Sequence, residues 1–352
     1  MKIAVVGTRG FPNVQGGVET HCMELYPRLA ALGYDITVMC RKPYTGLDAP
    51  DTYKNVTLKH LPSPTGKRTE AIVHTLRGII EARRSGADAV HIHACGPALL
   101  TPLVKLLGMK AIVTLHGEDY RRAKWGPIAR LMLKAGQWCA ARFSDRLIVL
   151  TQADKERISA AHPSANITVI PNGIPTFTST KIKREKIVLA VGRLTPEKGF
   201  HNLIEAWGRW HPEDYRVIIA GAADHPDDYS ESLKALAQKN GVEMPGRLTH
   251  EQLPDLYSRS ALFIMPSLLE GMPIALLEAM AAEMDVAVSD IPSCRLPQLS
   301  PGDYFAPDSV DAITDALHRK LSLPPASHTY DLSYYDWDKI AASTAKIYST
   351  LK

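Results

Sequence analysis

The chain has 352 residues, 45% hydrophobic and 22% charged, enough apolar material for two packed cores at about 100–200 residues per domain; a disordered or collagen-like polymer is excluded. Its 41 Lys+Arg against 37 Asp+Glu leave a formal charge of +4, too mild to mark the whole surface for nucleic acid. No run approaches the roughly 20 apolar residues that cross a bilayer, so an integral membrane protein is not expected.

In chain order, Met1-Lys2 and the short apolar run ending at Gly7 read as a first strand over Lys2–Val6 rather than a secretory leader. Further strands are expected at Ile36–Cys40, Val90–His93, Ala111–Thr114 and Leu147–Leu150, with helices near Thr20–Leu32, Thr69–Arg84 and Pro127–Phe143. The turn cluster Ile170-Pro-Asn-Gly-Ile-Pro175 and the polar stretch from Thr176 to Lys186 mark a boundary. Beyond it the pattern restarts: strand Ile187–Val191 closing on Gly192, helix His201–Trp210, strands Val217–Ala220 and Leu262–Met265, and a terminal helix over Trp337–Leu351. This alternation predicts an α/β protein with two Rossmann-like domains and parallel sheets, with ligands held beyond the carboxyl ends of the strands in a cleft between the halves. Five cysteines (Cys22, Cys40, Cys95, Cys139, Cys294), odd in number and without a C-x-x-C pair, predict free thiols in a reducing cytoplasm.

Three segments carry chemistry. In Ser267-Leu-Leu-Glu270-Gly271-Met272-Pro273-Ile274-Ala-Leu-Leu-Glu278 a turn leads into a helix that Pro273 opens, with Glu278 about one and a half turns inside. The helix start favours an anion, and the two carboxylates accept from hydroxyls, so a ligand with phosphate and vicinal diols meets both demands. In Val191-Gly192-Arg193-Leu-Thr-Pro-Glu-Lys198-Gly199 two cations follow a strand-ending glycine, which suits a diphosphate, although such a loop alone also reads as merely solvated. The third, Gly7-Thr-Arg-Gly-Phe-Pro-Asn-Val-Gln-Gly16-Gly17-Val-Glu19, lacks G-x-G-x-x-G spacing and reads as a flexible loop lining the cleft. His116 follows an apolar strand at its carboxyl end, which favours the cleft over a purely structural role. His91 and His93 show no third ligand at metal spacing and are expected to pack.

Taken in order, Gly16-Gly17-Val18-Glu19, Thr114-Leu-His116-Gly, Pro171-Asn-Gly173, Gly192-Arg193 with Glu197-Lys198-Gly199, and Pro266-Ser-Leu-Leu-Glu270-Gly through Glu278-Ala resemble the retaining glycosyltransferases of family four, over nearly the whole chain. The resemblance implies a GT-B fold: an acceptor-side domain over 1–175, a donor domain over 176–335, and a terminal helix, 336–352, crossing back to the first. It also implies that Arg193 and Lys198 bind the donor diphosphate, Glu270 the transferred sugar and Glu278 the ribose. His116 would then lie beside that sugar, Gly16 and Gly17 near donor and acceptor, and Gly192, Gly271, Met272, Pro273 and Ile274 along the donor. On this reading His116, Arg193, Lys198 and Glu270 touch the reacting groups. No metal or other cofactor is expected, and the only D-x-D triplet, Asp336-Trp-Asp338, reads as a helix cap. Two departures stand out: Ala282-Glu283 where the family usually has a small residue and Gly, and Ser293-Cys-Arg-Leu-Pro297 in place of a segment with an acidic residue.

From Tyr120 to Ser144 six residues are basic and none acidic. Arg121, Arg122, Lys124, Arg130 and Lys134, with Trp125 and Trp138, predict contact with anionic membrane at the cytoplasmic face, and hence a lipid-linked saccharide acceptor of bacterial surface polysaccharide assembly. The plain alternative is a solvated helix packed on the sheet through Ile128, Leu131, Met132, Ala135 and Cys139. A nucleotide-sugar epimerase or a non-catalytic sugar-nucleotide binder also fits the architecture.

Overall fold

The computed structural model describes residues 1–351 apart from 15, 47–48, 65–69, 123–124, 175–182, 211, 224–225 and 249–251. It falls into two compact units, Met1–Gly173 with Tyr335–Lys352, and Ile174–Tyr334.

Among the described residues the first unit carries β1 (Lys2–Val6), β2 (Asp35–Arg41), β3 (Thr52–Tyr53), β4 (Val56–Leu61), β5 (Ala89–His93), β6 (Lys110–Leu115), β7 (Arg146–Val149) and β8 (Ile167–Val169). They lie in the order β3-β4-β2-β1-β5-β6-β7-β8, parallel throughout except for the β3–β4 pair. Alternation along β1 explains why the sheet is covered on both faces. Ile3 and Val5 enter one core with Leu25, Tyr26 and Leu29 of the helix Gly17–Ala31, while Ala4 and Val6 enter the other with Ile79 and Ala82 of the helix Glu70–Arg84.

The helix Trp337–Ser349 completes the first of these cores. Trp337, Ile340, Ala341, Ile347 and Tyr348 are buried in it, Arg28 Nε donates to Asp338 Oδ1 at 2.8 Å, and Tyr34 donates its hydroxyl to the Ala345 carbonyl at 2.9 Å. Asp336 caps this helix by accepting from the backbone N–H of Asp338 and Lys339, so the D-x-D triplet has a structural occupation.

The second unit carries β9 (Glu185–Val191), β10 (Arg216–Ala220), β11 (Glu243–Gly246), β12 (Ser260–Met265), β13 (Asp285–Ser289) and β14 (Tyr304–Phe305), in the order β11-β10-β9-β12-β13-β14 and parallel at each pairing. Val188 and Ala190 of β9 pack with Leu203, Ile204 and Trp207 of the helix Phe200–Arg209. All five cysteines are free and buried, and burial raises the thiol of Cys40 to about 12. No helix among the described residues is long and apolar enough to cross a membrane.

The departure at Ala282-Glu283 has a backbone cost. Ala282 caps the helix Ile274–Ala281, and Glu283 follows with φ of 57°, the left-handed region where glycine is favoured. Glu283→Gly should therefore raise stability by roughly 0.5–1 kcal/mol, measured by urea unfolding; a loss of stability would show that the Glu283 side chain outweighs the strain.

Candidate functional site

The second unit's sheet runs from β9 to β10 on one side and returns to β12 on the other. Its order therefore reverses between β9 and β12, and the loops leaving the carboxyl ends of two such strands part to leave a crevice. Both charged motifs sit on these two loops. After β9 come Gly192, the half-buried Arg193, a 3₁₀ turn over Pro196–Lys198, and Gly199 at the start of the helix Phe200–Arg209. After β12 come Pro266, Ser267, Glu270 and Gly271, leading into the helix Ile274–Ala281.

The loops are tied to each other. Leu268 donates its backbone N–H to the Glu197 carbonyl at 2.8 Å. Gly199 has φ of 64°, and a Cβ there would lie 2.0 Å from the Pro266 carbonyl oxygen, so this close approach needs glycine. The contact brings Lys198 Nζ within 2.6 Å of Glu270 Oε1, an oxygen that also accepts from Ser267 Oγ at 2.7 Å. The pair is largely withdrawn from solvent, with side-chain exposures of 21% for Lys198 and 9% for Glu270.

One helical stretch further on, Tyr257 donates its hydroxyl to Glu278 Oε2 at 2.9 Å. Burial pushes the Glu278 carboxyl up from its usual value, and the Tyr257 hydrogen bond opposes this. The two loops and the helix Ile274–Ala281 thus carry a cation, two carboxylates held by hydroxyl donors, and a helix N-terminus, where backbone N–H groups lack helical acceptors. Met272 and Pro273 are buried, and Ile274 is the first helical residue. Pro273 itself is the cap residue rather than the first helical one, because its ψ of 107° is extended. Tyr257 and Ser267 were not singled out in the sequence; the fold sets Tyr257 against Glu278, whereas Ser267 stands only three residues before Glu270.

In the first unit, Gly16 caps the helix Gly17–Ala31 and is half-buried, while Gly17 is exposed. The buried Glu19 carboxylate accepts the Arg9 backbone N–H at 3.0 Å, and a Cβ on Gly16, whose φ is 152°, would fall 1.9 Å from Glu19 Oε2. The loop expected to be flexible is thus clasped at Arg9 by a carboxylate that Gly16 leaves room for.

His91 and His93 pack as expected: both are fully buried and their rings stack with centroids 4.6 Å apart, though His93 also meets residues that the spacing did not suggest. His91 bonds Thr114 Oγ1 at 2.7 Å and the Tyr348 hydroxyl at 2.6 Å. His93 Nδ1 instead lies 2.9 Å from His116 Nε2, and His21, from the helix Gly17–Ala31, places its ring edge-on to His116 with centroids 4.9 Å apart. Sequence spacing hid this cluster, because the three histidines come from separate stretches of chain. Burial lowers all three imidazoles below their ordinary value, His21 to about 4, so they are neutral near pH 7.

The helix Pro127–Phe143 forms with the bounds expected, and of the face named in the plain alternative Cys139 is buried and Ala135 half-buried while Ile128, Leu131 and Met132 are exposed. Ile128 and Leu131 are 78% and 69% exposed, and burial is confined to Gly136, Cys139, Ala140 and Ala141. Arg130 and Lys134 are exposed on the same helix. Two of the five basic residues assigned to membrane are engaged elsewhere: Arg121 pairs with Glu118 at 3.2 Å and Arg122 with Asp119 at 2.9 Å, because both carboxylates lie three residues earlier. Lys124 lies outside the described residues.

Two family models match the chain in tandem: Glycosyltransferase Family 4 over residues 15–176 and Glycosyl transferases group 1 over residues 176–332. Over 400 aligned residues the chain is 26% identical to the glycogen synthase of Mycobacterium tuberculosis (strain CDC 1551 / Oshkosh), covering 100% of this chain and 95% of that protein. Among solved structures, sucrose-phosphate synthase from Thermosynechococcus elongatus superposes with a TM-score of 0.83 at 19% identity, over 99% of this chain and 98% of that one. Anabaena HepE in complex with UDP-glucose superposes with a TM-score of 0.78 at 16% identity, over 99% of this chain and 100% of that one.

Proposed function

Since the chain belongs to the family-four glycosyltransferases of the GT-B fold, we propose that it moves a hexosyl unit from a nucleoside-diphosphate sugar to a saccharide hydroxyl, with retention of configuration and without a metal ion. The observation that carries the donor assignment is the Lys198–Glu270–Ser267 contact at the reversal of the second unit's sheet, with Glu278, the partner of Tyr257, on the helix that follows. A diphosphate meets Lys198 and Arg193; the diols of sugar and ribose meet Glu270 and Glu278. Similarity in fold to a protein crystallised with UDP-glucose supports a nucleotide-sugar donor.

The chemistry follows from charge. As the glycosidic bond to phosphate breaks, negative charge grows on the departing diphosphate, and fixed guanidinium and ammonium groups stabilise it without a divalent ion. Glu270 and Glu278 serve as hydroxyl acceptors rather than as a nucleophile–acid pair, so the departing phosphate itself takes the acceptor proton on the face it leaves. His116, with Gly16 and Gly17, keeps the role that the family resemblance gives it, beside the transferred sugar and the acceptor.

The acceptor is a lipid-linked saccharide used in surface polysaccharide assembly, reached from the cytoplasmic face of the membrane. What supports this is the exposed apolar and basic start of the helix Pro127–Phe143, with Trp138 48% exposed further along; such a face rests on anionic headgroups by burying apolar side chains and pairing lysine and arginine with phosphate. Arg130→Glu with Lys134→Glu should release the protein from phosphatidylglycerol vesicles in a flotation assay, whereas undiminished flotation would remove the membrane contact.

Donor and reaction are tested together. A thermal-shift panel of UDP, GDP, dTDP and ADP with their sugars identifies the nucleotide, because a ligand that binds only the folded state raises the melting temperature. Product analysis with the selected donor then separates transfer from its rivals: an epimerase makes a new nucleotide sugar without acceptor, and a mere binder leaves the donor intact. Transfer is expected to survive exhaustive chelation; an absolute requirement for magnesium or manganese would overturn the metal-free mechanism.

A further inference from the structure

His21, His93 and His116 reach one point in the first unit from the helix Gly17–Ala31, the last position of β5 and the turn after β6. One ring nitrogen from each lies within 4.8 Å of the others, and His93 Nδ1 and His116 Nε2 are 2.9 Å apart. Away from this point two of the rings are anchored by oxygen. His93 Nε2 meets the Tyr26 hydroxyl, and His21 Nδ1 lies 2.9 Å from Asn172 Oδ1. Since that amide oxygen accepts, His21 Nδ1 carries the proton and Nε2 presents a lone pair. Yet His21 is 2% exposed and its Nε2 meets no hydrogen-bond partner among the described residues, an arrangement that buried polar atoms usually avoid.

We propose that His21, His93 and His116 form a binding site for a zinc ion. Three neutral imidazoles suit zinc, whereas magnesium and calcium require oxygen ligands. Zinc–nitrogen bonds of about 2.0–2.1 Å place tetrahedral ligands roughly 3.4 Å apart, so ring rotations within the present cluster close the site. The ion gives His21 Nε2 its missing partner, and a fourth position remains for water. Oxygen acceptors on the far nitrogens of His21 and His93 are the arrangement that fixes tautomer and ring direction in metal-binding histidines. One consequence rests on the role proposed above for His116: zinc bound there withdraws its Nε2 from the sugar, so added zinc inhibits transfer.

Binding is measured directly, and so stands or falls apart from that role. The full chain, stripped with chelator, is titrated calorimetrically with zinc chloride, and its visible spectrum is recorded with cobalt(II) in place of zinc. One ion per chain and the intense absorption of four-coordinate cobalt are expected. His21→Gln, which keeps a polar group near Asn172, should abolish the cobalt band and weaken zinc at least tenfold, and Asn172→Ala should weaken it about tenfold. His60→Gln, in β4 next to the edge strand β3, should bind as wild type. No stoichiometric binding, or zinc held equally well by a folded His21→Gln protein, would overturn the site; if His93→Gln fails to fold, the His21 variant still decides.

Discussion

Turnover should fall about a hundredfold when Lys198 is replaced by alanine, the loss expected from removing one preorganised charge contact of roughly 3 kcal/mol in the transition state. The ammonium group is held by the Glu270 carboxylate at 2.6 Å, so in the donor role proposed above it would meet the phosphates from a fixed position without first being ordered. Charge on those phosphates grows only as the bond breaks; the defect should accordingly sit in kcat more than in KM. Arg193→Ala should behave alike. A second effect accompanies the first, because removal of Lys198 leaves the 9% exposed Glu270 side chain with Ser267 alone among the contacts described above. A double-mutant cycle with Glu270→Gln separates the two effects. Activity within twofold of wild type, in a protein that still melts as wild type, would contradict the assignment of Lys198 to the donor.

Trp337→Ala should cost about 3–5 kcal/mol, the range for deleting a large buried aromatic side chain. The indole is 3% exposed and packs edge-on to His21 with centroids 5.5 Å apart. It covers Gly173 so closely that a Cβ there would lie 2.5 Å from an indole carbon. Its Nε1 has no hydrogen-bond partner among the described residues, so the loss is one of packing, and Trp337→Phe should recover much of it. In calorimetry the transition of the first unit should drop by on the order of 10 °C. A shift of a degree or two would mean that the terminal helix contributes little to that core.

Strands buried on both faces were legible where an unbroken apolar run stands, as Ile3–Val6 in β1, Ile187–Val191 in β9 and Ala261–Met265 in β12. Those at or near sheet edges were not. In β4 buried Val56 and Leu58 alternate with exposed Thr57 and Lys59, β11 carries Pro245, and β14 has two residues. At such positions pairing with a neighbour, not hydrophobicity, makes the strand. The charged loops of the second unit were visible as motifs, yet the Lys198–Glu270 pair joins residues 72 apart and depends on the order of the sheet. Likewise, apolar strand ends revealed His116 while nothing local tied it to His21 and His93. The Arg121 and Arg122 ion pairs are the opposite case: Glu118 and Asp119 stand three residues earlier, just ahead of the basic stretch that begins at Tyr120, and that local spacing is legible in the sequence.

The return of Trp337–Ser349 into the core of Met1–Gly173 also bears on how the protein is made. A ribosome emits the first unit's sheet long before the helix that finishes its hydrophobic interior, and the whole of Ile174–Tyr334 emerges in between. The later unit thus has all its parts first, and the earlier one waits with an apolar surface uncovered until Trp337–Ser349 has been made, an interval in which nascent-chain chaperones have something to hold.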